Sequence, residues 1–522
     1  MILRYNVIRF KLLLTLLEAY MYIGYDKKNG CEYAKICKSE RINGKVKTTQ
    51  VPLGRVIDKQ AGIYRNRARG VFTYDLATDT YGTPDSSVVI PVIKRSNAKE
   101  KLILDFGNSF FMSQYITQIG MDPAIDALKY GNHDSVRAML LYYILCNMAN
   151  YNAEEWYNGN YVRILYPKAN LESQRISDLL SSVGEESSYR AFFKEYTSLL
   201  VHRDQKDGED ILIDSTGLPN SIHFPLTAIS NHNGQINNEV RLIYVVQQGS
   251  NLPLYFRYIP GNVVDVSTLT KTILELKAMG ICTKFAILDA GYLTEQNTKE
   301  LYEGKVSFVF RLQENRKLYK DLVAQHLPTL MKEENLISYN GRYAYIHREE
   351  CNLIAGHKAY AYVGLDLTMK SIEAAKLFSR ASKTKMSESE VHNQLRTQGI
   401  FILVSSRPIA KDKILPLYYS RQQIEQVFDI CKNNTNMLPL RIQSEDTFRG
   451  HLLLAFAASI VCRKLQEDLK DTRYTPENAM LILGNHKCKV YDNYVLTQES
   501  TAKQNEIYKR FGIKVVDTYN IK

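Results

Sequence analysis

ILIDST, residues 211–216, is a run of large apolar residues that stops at an aspartate followed by small polar residues. A short apolar run bounded in this way is typical of a buried strand. Four more such runs follow in the chain: VRLIYVVQQ (240–248), LPLYFRYIPG (252–261), KFAILDAGY (284–292) and SFVFRLQ (307–313). The run at 284–292 also ends its apolar part at an aspartate, Asp289. The sequence therefore predicts five strands, two of which carry an aspartate at one end.

One helix is predicted between the third and fourth of these strands. VSTLTKTILELKAMG (266–280) has helical periodicity, with Asp265 placed to cap its start and Gly280 placed to end it. Three strands, a helix and two more strands are typical of a mixed α/β sheet with connected hairpins. The sequence therefore predicts a mixed sheet with helices as the centre of the fold.

The rest of the chain divides by changes in its pattern. Short alternating runs with Asn-Gly turns fill residues 21–95, and helical periodicity follows from about 106 to 200. A mixed segment precedes the strand GIFILVSS (399–406), and the apolar run beginning FRGHLLLAF at 448 predicts a buried helix. We predict a basic β-rich region at 1–100, a helical region at 101–205, a core at 206–316 with 400–470, a β-rich insertion at 317–399, and a polar C-terminal tail at 471–522.

Positive charge is concentrated at the N-terminus. The 522 residues carry a net charge of +12, and residues 1–70 contain fifteen Lys or Arg against five Asp or Glu. Such a basic segment indicates a polyanion partner, most plausibly nucleic acid. The alternative is a solvated basic surface that aids solubility. If nucleic acid is the partner, this region is the candidate for recognising a DNA end.

Cysteine usage and hydropathy exclude several classes of protein. The eight cysteines are scattered without a CxxC pair, which favours a reducing compartment and disfavours a zinc site. The apolar run LLLTLL near the N-terminus is short, and no window has the eighteen or more uncharged apolar residues of a membrane span. We expect a cytoplasmic protein with no membrane partner. Because strand-like sequence begins at Met21, residues 1–20 are hypothesised to precede the natural start.

YYSRQQIEQVFDICK, residues 418–432, predicts an amphipathic helix with a polar stripe. At about 100° per residue, Tyr418, Arg421, Glu425 and Lys432 lie within about 60° of arc, beside an apolar face. Pro416 is tolerated best in the first turn of a helix, so the helix is expected to start near 415. One helix would then present an aromatic ring, an acid and two cations next to a buried seam.

Three acids stand out by position: Asp214, Asp289 and Glu425. Carboxylates at the ends of apolar strands are costly to bury unless a cation or a basic group accompanies them. Ligands that offer only oxygen prefer hard ions such as Mg²⁺ or Mn²⁺, and a pair of such ions can activate water and stabilise the leaving oxygen of a phosphodiester. Taken singly, an aspartate that closes a strand is more often a turn or capping residue.

The residues quoted above resemble those of DDE transposases of bacterial insertion sequences. The subgroup concerned has a Tyr-x2-Arg-x3-Glu-x6-Lys signature, matched here at 418, 421, 425 and 432. ILIDST resembles the strand of the family's first aspartate, and AILDAGY resembles the strand of its second. PGNVVDVSTL, with Asn262 and Asp265, and IQSEDTFRGHLLLAF also resemble the family. The resemblance extends from about residue 101 to 515 and implies an RNase H-like (retroviral-integrase-type) core.

The resemblance also implies an activity and a set of roles. Asp214, Asp289 and Glu425 would be the catalytic acids that bind two Mg²⁺ (or Mn²⁺) ions, while Tyr418, Arg421 and Lys432 would bind transposon-end DNA. The reaction would be hydrolysis at the transposon ends, followed by transfer of the freed 3′-hydroxyl into target DNA. Double-stranded DNA, as terminal inverted repeats and target, and a second copy in a homodimeric synaptic complex would be the partners, at the nucleoid in the cytoplasm.

Two features of the sequence bear on this resemblance. The 136 positions from Asp289 to Glu425 are too many for an uninterrupted core and fit the subgroup with a β-rich insertion. Gln422 stands where related proteins often have Trp, which puts a local packing or stacking role in doubt. Two alternatives stay open: an RNase H-like nuclease without strand transfer, and a catalytically silent DNA-binding protein derived from a transposase.

Overall fold

The computed structural model divides the chain into two compact units, residues 1–99 and 100–522. The structure describes residues 19–28, 31–42, 45–66, 68–84, 102–203, 210–220, 224–232, 235–263, 268–384, 386–435, 437–438, 440, 442 and 444–521.

The first unit is an antiparallel meander, as the alternating sequence pattern predicts. Its six described strands follow chain order across one sheet: β1 (Ala19–Lys28), β2 (Cys31–Ile42), β3 (Lys45–Asp58), β4 (Ile63–Asn66), β5 (Gly70–Asp75) and β6 (Thr80–Gly82). Inward residues of four strands form a small core made of Ala34, Ile36, Leu53, Tyr64, Phe72 and Tyr74. The hypothesis that residues 1–20 precede the natural start concerns a segment that lies mostly outside the described residues. Residues 1–18 are not described, and β1 begins at Ala19.

The second unit begins with one strand and a set of helices, in agreement with the helical periodicity from 106 to 200. These are β7 (Leu102–Asp105), α1 (Gly107–Gln118), α2 (Asp122–Asp126), α3 (His133–Leu145), α4 (Ala153–Gly159), α5 (Val162–Leu165), α6 (Ser173–Val183) and α7 (Glu186–Arg203). Most of α3 is buried, which explains why its sequence is apolar on nearly every side.

All five predicted core strands are present. The elements are β8 (Asp210–Pro219), β9 (Ala228–His232), β10 (Gln235–Gln247), β11 (Pro253–Pro260), α8 (Leu269–Ala278), β12 (Phe285–Leu288), α9 (Glu295–Glu303) and β13 (Ser307–Arg311). Their order in the sheet is β11-β10-β8-β12-β13, in which β8, β12 and β13 are parallel and β10 is antiparallel to both of its neighbours in that order. This confirms the predicted mixed α/β sheet and is the RNase H-like strand order.

The helix between β11 and β12 ends as predicted. Gly280 follows α8 with a positive φ of 91°, and the N–H of Ile281 returns to the carbonyl of Leu276. Only glycine adopts this backbone conformation without a steric cost, so the chain stops the helix there. The predicted cap Asp265 lies outside the described residues, and Thr268 directly precedes the helix.

The segment 317–399 is part helical and part strand, where the sequence suggested a β-rich insertion. It contains α10 (Lys317–His326), β14 (Leu336–Tyr339), β15 (Arg342–Ile354), β16 (His357–Asp366), α11 (Leu367–Thr384) and α12 (Glu388–Leu395). Its strands do not form a sheet of their own. β17 (Ile400–Ser405) pairs with β13 on one side and β16 on the other, so the core sheet continues through β16, β15 and β14.

The prediction of one continuous helix over 418–432 is wrong. The chain forms α13 (Lys411–Tyr419), a break at 420–421, α14 (Gln422–Asp429), and a π-helical turn (Ile430–Asn434). Helix α13 also starts four residues before the predicted start near 415, so Pro416 lies inside it. The burial of Ile414, Leu415 and Tyr418 offsets the backbone hydrogen bond that the proline cannot donate.

The predicted buried helix is α15 (Glu445–Leu469), whose residues from Leu452 to Ala458 are fully enclosed. Helix α6 crosses α15 where two glycines face each other. A Cβ on Gly184 would lie 1.8 Å from the carbonyl oxygen of Asp446, and a Cβ on Gly450 would lie 1.9 Å from that of Leu180. Backbone atoms therefore touch at this crossing, and α6 serves as a packing element.

Residues 471–522, expected to be a polar tail, are folded. They form α16 (Pro476–Gly484), β18 (Lys487–Val490), β19 (Tyr494–Thr497), α17 (Ala502–Arg510) and β20 (Thr518–Asn520). Strand β18 pairs with β7, and the resulting sheet has the order β20-β19-β18-β7. Sequence patterns missed this because the strands are three or four residues long and pair across almost the whole unit. Among the described residues, no helix is long and apolar enough to cross a membrane.

Candidate active site

Asp214 and Asp289 lie side by side on two neighbouring interior strands of the core sheet. Strands β8 and β12 are parallel neighbours, with Ile213 paired with Leu288. The next residue in each strand direction is the aspartate. Asp289 directly follows β12, but β8 continues past Asp214 to Pro219, so the prediction that Asp214 lies at a strand end is wrong. The two carboxylates nevertheless come from the same level of adjacent parallel strands, at the point where the pairing of β8 with β12 stops.

Arg421 joins the two aspartates. Its Nη1 donates to Asp214 Oδ2 at 2.8 Å, and its Nη2 lies 3.5 Å from Asp289 Oδ1. The guanidinium is one-fifth exposed, and it is placed there by the break between α13 and α14, since Arg421 directly precedes α14. A planar cation that reaches two carboxylates at once suits this position.

Asp214 is the most perturbed acid of the site. Burial raises the pKa of its carboxyl from 3.8 to about 6, although Arg421 and the backbone N–H of Ser215 favour the ionised form. The negative charges of Asp289 and Glu425 raise the pKa further. The side chain of Asp214 is 15% exposed, whereas that of Asp289 is 44% exposed and open to solvent. One carboxylate is thus enclosed and the other accessible from outside.

Glu425 lies on α14, which packs against β8, and its side chain is exposed. Its charge reaches both Asp214 and Arg421, because it contributes to the pKa of each. The carboxylate oxygens of the three acids do not all lie within 4.8 Å of one another. Like charges repel each other, and the ion pairs of Arg421 are with Asp214 and Asp289.

The donor set of the three acids fits hard divalent cations. All of the donors are carboxylate oxygens, and burial raises the pKa of Asp214 in spite of Arg421, so a further cation beside this carboxylate would stabilise its ionised form. Asp214 and Asp289 are adjacent, and the exposed Glu425 is close enough for its charge to act on Asp214. The residues present could therefore hold Mg²⁺ or Mn²⁺ ions.

The two other signature residues make contacts within the protein. Lys432, in the π-helical turn, donates from Nζ to Thr216 Oγ1 at 2.6 Å and to the Gly217 carbonyl at 3.0 Å. Burial lowers the pKa of this ammonium group. Tyr418 is buried, and its ring centroid lies 5.9 Å from the Arg421 guanidinium carbon. In this structure Arg421 and Lys432 both contact β8, while the Tyr418 ring packs beside Arg421.

An open cleft of about 530 Å³ lies directly beside Asp289. It is lined by Ala290 and the segment 311–315, which includes the exposed Arg311. Gln313 donates to the carbonyl of Ala290 and Arg316 to that of Leu293, so this segment fixes the loop that follows Asp289. Sequence analysis did not assign that supporting role. The only available signal was the polar sequence QENR directly after a strand.

The residues of the candidate active site lie within a segment of the chain that matches a known family model. Residues 205–461 match the family model described as Transposase DDE domain. The matched DDE domain contains Asp214, Asp289 and Glu425, the signature residues around Glu425, and the insertion segment between the last two acids. Residues before 205 and after 461 lie outside the match.

Two other comparisons add little to the DDE domain match. No curated protein matches the chain. Among solved structures, the chain is similar to one described as "Cryo-EM structure of piggyBac transposase synaptic complex with hairpin DNA (SNHP)". The identity is 11%, the similarity covers 72% of this chain and 79% of that one, and the TM-score is 0.38. A likeness at this level carries no weight for the roles of individual residues.

Proposed function

We propose that this protein is a DNA transposase of an insertion sequence that cuts phosphodiester bonds at the ends of its element and joins the 3′ ends to target DNA. The observation that supports it most is the close approach of Asp214, on β8, and Asp289, directly after the adjacent parallel strand β12, joined by Arg421. The DDE domain match over 205–461 supports the same reaction class.

The acids have the first role in this proposal. Asp214, Asp289 and Glu425 are the catalytic residues and would hold two Mg²⁺ or Mn²⁺ ions between them. When bound, such ions supply Lewis-acid activation of water and stabilisation of the leaving oxygen. Asp289 is open to solvent and faces the cleft, so a scissile phosphate would approach from its side. Glu425 would swing towards the aspartates as the negative charge is neutralised.

The basic and aromatic residues hold the DNA in this proposal. Arg421 would exchange its contact with the aspartates for a phosphate once other cations compensate their charge. Lys432 would supply a second positive charge beside the same strand, and Tyr418 would support Arg421 or meet a displaced base. Each of these residues starts from a contact that the protein itself provides, so DNA binding would replace existing partners instead of filling empty positions.

Double-stranded DNA, as inverted repeats and target, is the substrate, and the basic N-terminal unit would contact the element's ends through phosphates. Because two ends must be cut and joined together, the protein would act as a homodimer on DNA at the nucleoid.

The test uses the full chain with DNA that carries the natural flanks of its gene. Wild-type protein should cut this DNA at the element's ends in Mg²⁺ but not in EDTA, and should join the ends into a supercoiled target plasmid. Asp289→Asn and Glu425→Gln should each lower the cutting rate by at least about 10³-fold, because each removes an ion ligand. Asp412→Asn, which alters an exposed acid in the first turn of α13, is the matched control.

The products separate the possible functions. Cutting without joining would identify a nuclease, and binding to the flanks without cutting would identify a silent DNA-binding protein. Cutting by Glu425→Gln at the wild-type rate would reject the assignment of this residue.

A further inference from the structure

A group of possible metal ligands lies in the insertion segment, apart from the three acids. His326 is the last residue of α10, and His347 and Glu349 are two positions apart on β15. Side chains two positions apart in a strand project from the same face, so β15 presents both towards the end of α10. Among the described residues, this is the one group of three His, Cys, Asp or Glu side chains whose ligand atoms all lie within 4.8 Å of one another.

Contacts within the group hold the three side chains in place. His326 Nε2 lies 2.8 Å from Glu349 Oε2, and the rings of His326 and His347 stack with centroids 4.4 Å apart. Gln325 Nε2 donates to the same Glu349 oxygen at 3.3 Å, which gives the carboxylate an outer partner. The side chains of His326 and Glu349 are 10% and 23% exposed. The group is therefore enclosed but reachable by a small ion.

The chemistry of this group differs from that of the three acids. Two imidazoles and one carboxylate form a donor set that zinc uses in proteins, and imidazole is a ligand for Zn²⁺, Cu²⁺ and Ni²⁺ but a poor one for Mg²⁺. Lys411 is close enough for its charge to act on His347. Its ammonium group donates to the carbonyl of Glu334 and to Asn335 Oδ1.

We propose that His326, His347 and Glu349 bind one transition-metal ion of the zinc class, which fastens the end of α10 to β15. Filled sites have ligand distances of about 2.0–2.2 Å from the ion, so the ion would replace the direct contact between His326 Nε2 and Glu349 Oε2. A solvent molecule would complete four-coordination. The scattered cysteines pointed away from zinc, but this donor set contains no cysteine. The proposal is independent of the proposed transposase function.

The test measures metal binding by the full chain after removal of metals with EDTA. We expect wild-type protein to bind one equivalent of Zn²⁺ in this segment, and Co²⁺ in its place to give the intense visible absorption of a four-coordinate site. His347→Ala and the nearly isosteric Glu349→Gln should each weaken Zn²⁺ binding by at least about 100-fold. His392→Ala, which removes an exposed histidine of α12, should bind Zn²⁺ as wild type does.

Thermal unfolding supplies a second readout. Zn²⁺ should raise the unfolding midpoint of the wild type and of His392→Ala, and should leave that of Glu349→Gln unchanged. The proposal is overturned if the wild type fails to bind Zn²⁺ at about 10 μM, or if Glu349→Gln binds it as tightly as the wild type. Mg²⁺-dependent DNA cutting in zinc-free buffer is measured separately, so the loss of one activity is not mistaken for the loss of the other.

Discussion

Ionisation of the buried Asp214 side chain should destabilise the metal-free protein. The pKa of its carboxyl in the folded state, about 6, lies above the value of 3.8 for the free group. The folded state therefore binds this proton more tightly, and the resulting stabilisation is present below about pH 4 and is lost as the pH rises through 6. At neutral pH the ionised side chain is a net burden, as is common for acids kept at functional sites.

Asp214→Asn should relieve that burden. In EDTA, we expect the variant to gain stability relative to the wild type between pH 5 and pH 7.5, by an amount on the order of 1 kcal/mol. Thermal or urea unfolding at the two pH values measures this, with Asp412→Asn as the exposed control. A relative stability of the variant that falls with rising pH would contradict the assigned pKa shift.

Arg421 should stabilise the metal-free site through its contacts with both aspartates. Arg421→Gln leaves Asp214 and Asp289 adjacent without a counter-charge, so the free energy of unfolding in EDTA should fall by about 1–2 kcal/mol. Added Mg²⁺ should restore more of the stability of this variant than of the wild type, because the ions would compensate the same carboxylates.

The control for this comparison is Arg190→Gln, which removes an exposed ion pair with Glu186. Its stability should change by no more than about 0.5 kcal/mol and should not depend on Mg²⁺. The bridging role of Arg421 would be rejected if Arg421→Gln behaved like this control in urea titrations with and without Mg²⁺.

At the scale of elements, the close crossing of α6 and α15 predicts how much a larger residue at a crossing glycine would destabilise the protein. In Gly450→Ala the new methyl group would meet the carbonyl oxygen of Leu180, a backbone atom that cannot move without shifting the helix. We expect a loss of about 2–3 kcal/mol of stability, measured by urea unfolding. Gly159→Ala, at the end of α4 with open space around it, should be within about 0.5 kcal/mol of the wild type. Equal stability of the two variants would mean that the helices do not meet as described.

The elements differed in how far the sequence could predict them. The strands around Asp214 and Asp289 could be predicted because their apolar runs are continuous and end abruptly. The break at 420–421 could not, because a helix that stops and restarts keeps nearly the same periodicity on both sides. The pairing of β17 with both β13 and β16, which extends the core sheet into the insertion, depends on contacts between distant residues and has no local signal.

In the candidate site, too, the sequence indicated some features and not others. Residue types and spacing were enough to nominate the three acids and the signature residues. They could not indicate that Arg421 bridges two aspartates or that Lys432 contacts Thr216, because these contacts join positions more than one hundred residues apart. Nor could the sequence connect His326 with His347 and Glu349, since one lies at a helix end and the others on a strand.

At the scale of the whole molecule, the concentration of charge in the N-terminal unit predicts how DNA binding depends on salt. Lys47, Arg65 and Arg69 are exposed on this unit. The combined variant with Gln at all three positions should bind DNA with the natural flanks more weakly, and the slope of log affinity against log salt should be lower by up to about 3. Fluorescence anisotropy over a range of NaCl concentrations measures both quantities.

An equal change of charge elsewhere is the control. Gln at Lys299, Lys305 and Lys332, which are exposed in the second unit, alters the net charge by the same amount. If both triple variants weakened binding equally, net charge alone would account for the effect, and the N-terminal unit would have no special part in holding DNA ends.

Asp214, Asp289 and Glu425, far apart in the chain, are proposed to surround shared divalent ions. Fe²⁺ bound in place of Mg²⁺ generates hydroxyl radicals with ascorbate and peroxide, and these cut the polypeptide backbone near the ion. We predict cuts close to all three acids, suppressed together by excess Mg²⁺ and lost together in Asp289→Asn. Cuts near only one of the three acids, or cuts that Mg²⁺ does not suppress, would contradict the shared site.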